Sequence, residues 1–194
     1  MTPGVYRRLG WLCLLLATAS MPARAATVAY FIDQRYATIE FTTSGLIGTQ
    51  GYFRKFTGNL ALDFKMPENS SVDVTLDDQA ITLSWPPGVQ MLESPAYFNA
   101  QAFPRIRFRS VSIRASRTPG QYDISGELTI RGVTRPQMMT ATLLSAPRGG
   151  QNAGTADFYV TGTLQRSAFG MVADREAVND DVVLKIHARV MRAP

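Results

Sequence analysis

Tyr122-Asp123-Ile124-Ser125-Gly126-Glu127-Leu128-Thr129-Ile130 places an apolar or small residue at every second position and a polar one between. That period of two is the signature of a strand with one face buried and the other in water. The run ends at Arg131-Gly132-Val133-Thr134, whose glycine marks a turn back into a second strand.

The same alternation recurs outward from this segment. Ile39 and Phe41 flank Glu40. Phe56, Gly58, Leu60, Leu62 and Phe64 share one parity, against Thr57, Asn59 and Asp63. Phe158, Val160 and Leu164 alternate with Tyr159, Thr161 and Gln165. Val182, Leu184, Ile186, Ala188 and Val190 alternate with Val183, Lys185, His187 and Arg189. Ile106 and Phe108 sit between Arg105, Arg107 and Arg109, but Val111 and Ile113 carry the apolar character on the opposite parity. One extra residue near Arg109–Ser110 restores the facing, so a β-bulge is expected there.

Turns are expected at Pro67-Glu68-Asn69, Asp77-Asp78, Pro119-Gly120, Gly149-Gly150-Gln151-Asn152 and Asn179-Asp180-Asp181. Gly88 to Gln101 lacks alternation; Val89, Leu92, Tyr97 and Phe98 fit a short helix over a barrel end, with Pro95 near a helix start or a break. One-sided strands with short turns and no helical crossovers leave a sandwich or an up-and-down barrel. Length favours the barrel: Gln50–Phe64 offers a strand or hairpin of up to 15 residues. Ten residues of tilted strand make a wall roughly 25 Å tall, and about eight strands enclose side chains or one slender ligand. The expected fold is an all-β, antiparallel, closed barrel of about eight strands with one or two short helices near its ends.

Residues 1–25 read as a secretory signal peptide: Arg7 and Arg8, an apolar run from Leu9 to Ala17, then Ala23-Arg24-Ala25 as the cleavage pattern. The run is too short to span the ~30 Å of a bilayer core as a helix. Residues 26–194 then form one barrel domain in the periplasm, and removing Arg7, Arg8 and Arg24 takes the formal charge from +5 to +2. That charge gives no footprint for nucleic acid. Cys13, the only cysteine, leaves with the signal, so the domain has no thiol, disulfide or Cys ligand. His187, the only histidine, lies on a polar strand face, which removes a Ser–His triad and a His-rich metal site from consideration. Asp77-Asp78 and Asp180-Asp181 read as turn residues rather than as a catalytic pair. No catalysis, cofactor or metal is expected.

Several segments together resemble the YceI-like family of periplasmic proteins. Tyr30-Phe31-Ile32-Asp33 with Ile39-Glu40-Phe41 is similar to its first strands, and Gly51-Tyr52-Phe53-Arg54-Lys55-Phe56-Thr57-Gly58 to its G-x-F-x-x-F-x-G segment. Met91 to Phe98 followed by Phe103-Pro104-Arg105-Ile106-Arg107-Phe108-Arg109-Ser110 resembles L-x-S-x-x-F-F…Y-P-x-I-x-F-x-S. Gly126 to Pro136 matches G-x-L-T-I-x-G-V-T-x-P, and Leu164 to Met171 matches L-x-R-S-x-F-G-M. Each motif alone is weak; their order and spacing make the likeness specific.

The resemblance implies a lipocalin-like barrel holding a long polyisoprenoid, quinone-like or of the prenyl-phosphate type, and a link with envelope stress and isoprenoid metabolism. The apolar lining it implies comprises Phe41, Leu60, Leu62, Phe64, Trp85, Phe98, Phe108, Ile124, Leu128, Phe158, Leu164 and Phe169. Periodicity alone suits a solid core as well as a tunnel, and a filled barrel would make the chain a structural or interaction module of the envelope. Trp85-Pro86-Pro87 with Tyr97-Phe98 reads as a gate or as a plug, and Arg166 as a head-group cation or as part of a turn paired to a carboxylate. Arg105, Arg107 and Arg109 are either a site for an acidic partner or a solvated strand face. Where the family carries His-Ser and then a second His, Tyr36-Ala37 and Ser44 stand here, so no role of those histidines transfers. The oligomeric state is open, a homodimer included.

Overall fold

The structure, a computed structural model, describes residues 27–147 and 154–194. The proposed signal peptide and the expected turn at Gly149–Asn152 lie outside them. The strands are β1 (Val28–Ile32), β2 (Thr38–Gly45), β3 (Thr49–Phe53), β4 (Phe56–Leu62), β5 (Ser71–Asp77), β6 (Ile81–Leu83), β7 (Arg105–Ala115), β8 (Gln121–Ile130), β9 (Val133–Ser145), β10 (Thr155–Gln165) and β11 (Val178–Arg192). One short helix, α1, covers Gly88–Glu93, and 3-10 turns cover Pro67–Asn69 and Arg166–Phe169.

All pairings are antiparallel, and β1 pairs with both β4 and β11, so β1, β4, β5, β7, β8, β9, β10 and β11 close an eight-stranded barrel. The other three strands are continuations. β1 runs on as β2, β3 leads into β4, and β5 runs on as β6, each across a break of a few residues. Gln50–Phe64 is therefore a single bent stave rather than a hairpin. The breaks sit side by side and are stitched together: Arg54 N–H donates to Ala80 O at 2.7 Å, and Asp77 N–H to Lys55 O at 2.9 Å. Beyond this shared corner β2, β3 and β6 follow β11 away from β7, whose first residue, Arg105, still pairs with Asp77.

The gap left between β6 and β7 is filled by α1 and residues 94–104. Tyr97 and Phe98 are buried there, and Phe98 meets Phe41 and Phe53 in edge-on contacts with ring centroids 6.5 and 6.1 Å apart. Pro95 follows the last helical residues, where it ends α1. The segment docks on the corner through Gln79 Nε2–H to Ala100 O at 3.2 Å and Asp78 N–H to Pro104 O. The far end is closed by a second cluster of Tyr30, Leu62, Ala156 and Val190, with Phe64 stacked 6.3 Å from Phe158.

The bulge in β7 exists, one residue beyond the expected place. Ser110 pairs with Gly126 and Ser112 with Ser125, so Val111 is the extra residue. Val111 is thrown outward, 73% exposed, and Ile113 takes the inward place instead. Asn179-Asp180-Asp181 is not a turn but the start of β11, in the stretch where the register to β2 shifts between Val178 and Val182. The Asp180 carboxylate accepts from Ser167 N–H at 2.8 Å and from the Ser167 hydroxyl at 2.6 Å, which lets an acidic pair occupy a strand. Arg107 and Arg109 are spent locally, both lying against Asp73, at 2.6 and 3.4 Å.

Candidate functional site

The inward faces of the staves do not meet. They enclose a cavity of about 410 Å³ that runs the length of the barrel. Cavity-facing positions on β8 extend from Tyr122 to Ile130, roughly 20 Å of tilted strand. A volume of this size falls within the range of small-molecule sites. One end lies among Ile47, Trp85 and Met91, all exposed; the other lies among Pro67, Ser70 and Val190.

Phe41, Leu60, Leu62, Phe64, Trp85, Phe98, Phe108, Ile124, Leu128, Phe158 and Leu164 all border this cavity. Phe169 does not; at 2% exposure it is packed into the core from the 3-10 turn that follows β10. Trp85 stands at the mouth, 56% exposed, whereas Tyr97 and Phe98 are buried plug residues, so Trp85 and this pair have different places rather than forming one gate. The lining also includes Ile39, Phe53, Ile106, Ile113, Val160, Leu184 and Ile186. Ile39, Ile106, Val160, Leu184 and Ile186 already stand on the inward parity in the sequence. Phe53 precedes a corner and Ile113 follows a bulge, and each shifts the parity that a linear reading counts.

The wall is almost wholly apolar; Asp63 and Ser70 border it at the far end, and Arg166, Tyr97 and Asp174 on the side of the mouth. Arg166 is 3% exposed and borders the cavity. Among the described residues its guanidinium pairs with no carboxylate, contrary to the expectation of an ion pair. Nε donates to Asn179 O at 3.1 Å, Nη1 to Met171 O at 3.0 Å and Nη2 to Val178 O at 2.9 Å. Val178 and Asn179 lie where β11 slips out of register with β2, so their carbonyls need another donor, and the planar fork of an arginine serves them together. Gly170, at φ 79°, is the left-handed residue that ends the 3-10 turn carrying Arg166.

Tyr97 donates its hydroxyl to the Asp174 carboxylate. Burial, reinforced by that carboxylate, pushes its phenol up to about 12. Gln137 Nε2 donates to Met138 O at 2.7 Å and Thr163 O at 3.0 Å. These side chains are committed to protein partners. Asp78 is the exception among the described residues: its Oδ1 is buried without a hydrogen bond, behind the plug and outside the cavity lining. Sequence reading gave no sign of the Tyr97–Asp174 or Gln137–Thr163 contacts, since both join segments far apart in the chain.

Known proteins share this architecture. The profile of the YceI-like domain matches residues 30–190. A UPF0312 protein of Pectobacterium atrosepticum is 30% identical over 183 residues, covering 92% of each chain. The crystal structure of BcnA from Burkholderia cenocepacia superposes with a TM-score of 0.72 at 25% identity, over 82% of this chain and 98% of that one. A polyisoprenoid-binding domain from Saccharophagus degradans, implicated in plant cell wall breakdown, shares the fold at a TM-score of 0.62 and 13% identity, over 86% and 99% of the two chains. The matched motifs, the barrel and the extent of the profile agree, and this chain belongs to the YceI-like family.

Proposed function

We propose that this protein is a non-catalytic carrier of the bacterial periplasm, delivered there by residues 1–25, which sequesters a long polyisoprenoid in its barrel. The observation that carries the reading is the long apolar cavity of about 410 Å³. A branched hydrocarbon chain needs a narrow dry tunnel, and each Å² of its surface removed from water is worth about 25 cal/mol. The polyisoprenoid bound by the Saccharophagus degradans domain supports the same ligand class here. The polar side chains at the mouth favour binding over catalysis, because Arg166, Tyr97 and Gln137 are occupied by protein acceptors. The head group, quinone-like or phosphate-bearing, would lie at this polar end.

Native mass spectrometry of protein exported to the periplasm tests the reading. Added prenyl lipid should be retained in a one-to-one complex, and Leu128→Trp, which fills the tunnel, should abolish uptake while the barrel still melts cooperatively. Wild-type protein that takes up no prenyl lipid would overturn it.

A further inference from the structure

The cavity mouth is ringed by loops of unusual composition. The β2–β3 turn presents Leu46 at 88% exposure and Ile47 at 56%. The β6–α1 loop presents Trp85, also 56% exposed, and α1 presents Met91. The loop after the last 3-10 turn adds exposed Val172. Ile47 N–H donates to Ala177 O at 2.9 Å, which ties the first of these loops to the third. Ile47, Trp85 and Met91 border the cavity itself, so the apolar ring and the apolar interior are one continuous surface.

Two of the three segments of this ring carry no charge, while the third, beside Val172, exposes Asp174, Arg175 and Glu176. Phe41–Phe53 contains no charged residue, and neither does Gln79–Leu92. The β4–β5 connection at the far end carries Asp63, Lys65 and Glu68, and the β7–β8 turn carries Arg117. The two uncharged segments, with large apolar side chains and a tryptophan among them, match the boundary between lipid head groups and acyl chains, where tryptophan concentrates. A protein partner would usually meet a polar, hydrogen-bonding rim; these two loops offer little of one. A lipid leaving the barrel through water would expose its whole chain, whereas a mouth seated on a bilayer keeps that surface dry.

We propose that Leu46, Ile47, Trp85, Met91 and Val172 form a docking collar that seats the cavity mouth on the surface of a lipid bilayer, by apolar insertion rather than by charge. The inference rests on the carrier reading above, and the partner is the bilayer itself. Leu46 and Val172 do not border the cavity, so they separate docking from uptake.

Flotation of the purified protein with phosphatidylcholine vesicles is the test. The wild type should float with the vesicles to an extent that salt does not reduce. Leu46→Asp with Val172→Asp should lower the bound fraction at least about tenfold, because charge is costly in the apolar layer, while uptake of prenyl lipid from detergent micelles is unchanged. In protein lacking residues 1–25, Trp85 is the only tryptophan, and brominated phosphatidylcholine should quench its fluorescence. If the double variant does not fold, that quenching and a Leu46→Ser variant still decide. Wild type that takes lipid from micelles but ignores vesicles overturns the docking proposal and leaves the carrier reading standing. Binding that requires anionic lipid and vanishes with salt overturns it, as does a collar that only joins two copies of the chain in sedimentation. Protein that neither binds vesicles nor takes up prenyl lipid overturns both.

Discussion

Tyr97 and Asp174 stand 77 positions apart in the chain, and the phenol of the first donates to the carboxylate of the second. The bond links the plug between β6 and β7 to the loop between β10 and β11, two of the segments that border the cavity mouth. Tyr97 is buried, whereas Asp174 is exposed and can turn to water.

Tyr97→Phe keeps the buried ring and removes the donor. The loss should be about 1 kcal/mol, less than for a fully buried charged acceptor, because water replaces the phenol at Asp174. Amide exchange in residues 94–104 should quicken more than in β8 or β9, and bound lipid should dissociate faster. Equal exchange rates in the plug of wild type and variant would mean that the bond does not hold it.

Gly126 faces the ring of Phe108 across the β7–β8 pair, where the bulge begins. A Cβ at residue 126 would lie 2.5 Å from Arg109 O and overlap the Phe108 ring. Phe108 has a side chain that can shift only into the cavity; the Arg109 carbonyl belongs to the strand and cannot move without breaking register. Gly126→Ala should therefore destabilise by about 2–3 kcal/mol, as overpacking does, and should reduce the space open to a ligand. A melt within a degree of wild type would show that the strands yield more easily than this.

Much of this architecture can be read from periodicity. The faces of β8, of β10 from Phe158 and of β11 from Val182 follow directly from their alternating residues, because no register shift interrupts these stretches. The bulge in β7 was visible as a parity slip, although the exposed residue turned out to be Val111, which a hydrophobicity reading turns inward. What periodicity cannot show is the shared corner at Arg54–Lys55 and Asp78–Ala80. Its hydrogen bonds run between strands that only the closed barrel brings together. The partners of Arg166 were hidden for the same reason: nothing local reveals that β11 slips past β2 at Val178 and leaves carbonyls for a distant guanidinium. Phe169 shares the aromatic character of the lining residues, but a 3-10 turn has no inward parity, and it packs beside the cavity instead.

Asp78 gives the barrel a pH dependence of definite sign. Its side chain is 1% exposed with Oδ1 unpartnered, and burial, with Asp77 and Glu93 nearby, raises its carboxyl from the ordinary 3.8 to about 7. Between those values the folded chain holds a proton that the unfolded chain has released, so its contribution to stability falls as pH rises through that window and is level above it. Asp33, Asp63, Asp73 and Asp180 are lowered instead, and act in the opposite sense at more acid pH. Asp78→Asn removes only the first effect. Urea unfolding should show the variant gaining on wild type between pH 5 and pH 8, by about 1–3 kcal/mol. Parallel pH profiles for the two proteins would sink the assignment.

Arg166 separates a strap from a head-group ligand. Arg166→Met keeps much of the buried stem but strips donors from Met171, Val178 and Asn179 carbonyls at once. Leaving such groups unpaired should cost about 2–4 kcal/mol in thermal or urea unfolding. Arg166→Lys, with one compact ammonium in place of a planar fork, should recover part of that loss but not all of it. If the guanidinium acts only as a strap, whatever fraction of each variant is folded should take up prenyl alcohol and prenyl phosphate as wild type does. A loss confined to the phosphate, with the alcohol still retained, would instead assign Arg166 a direct contact with an anionic head group.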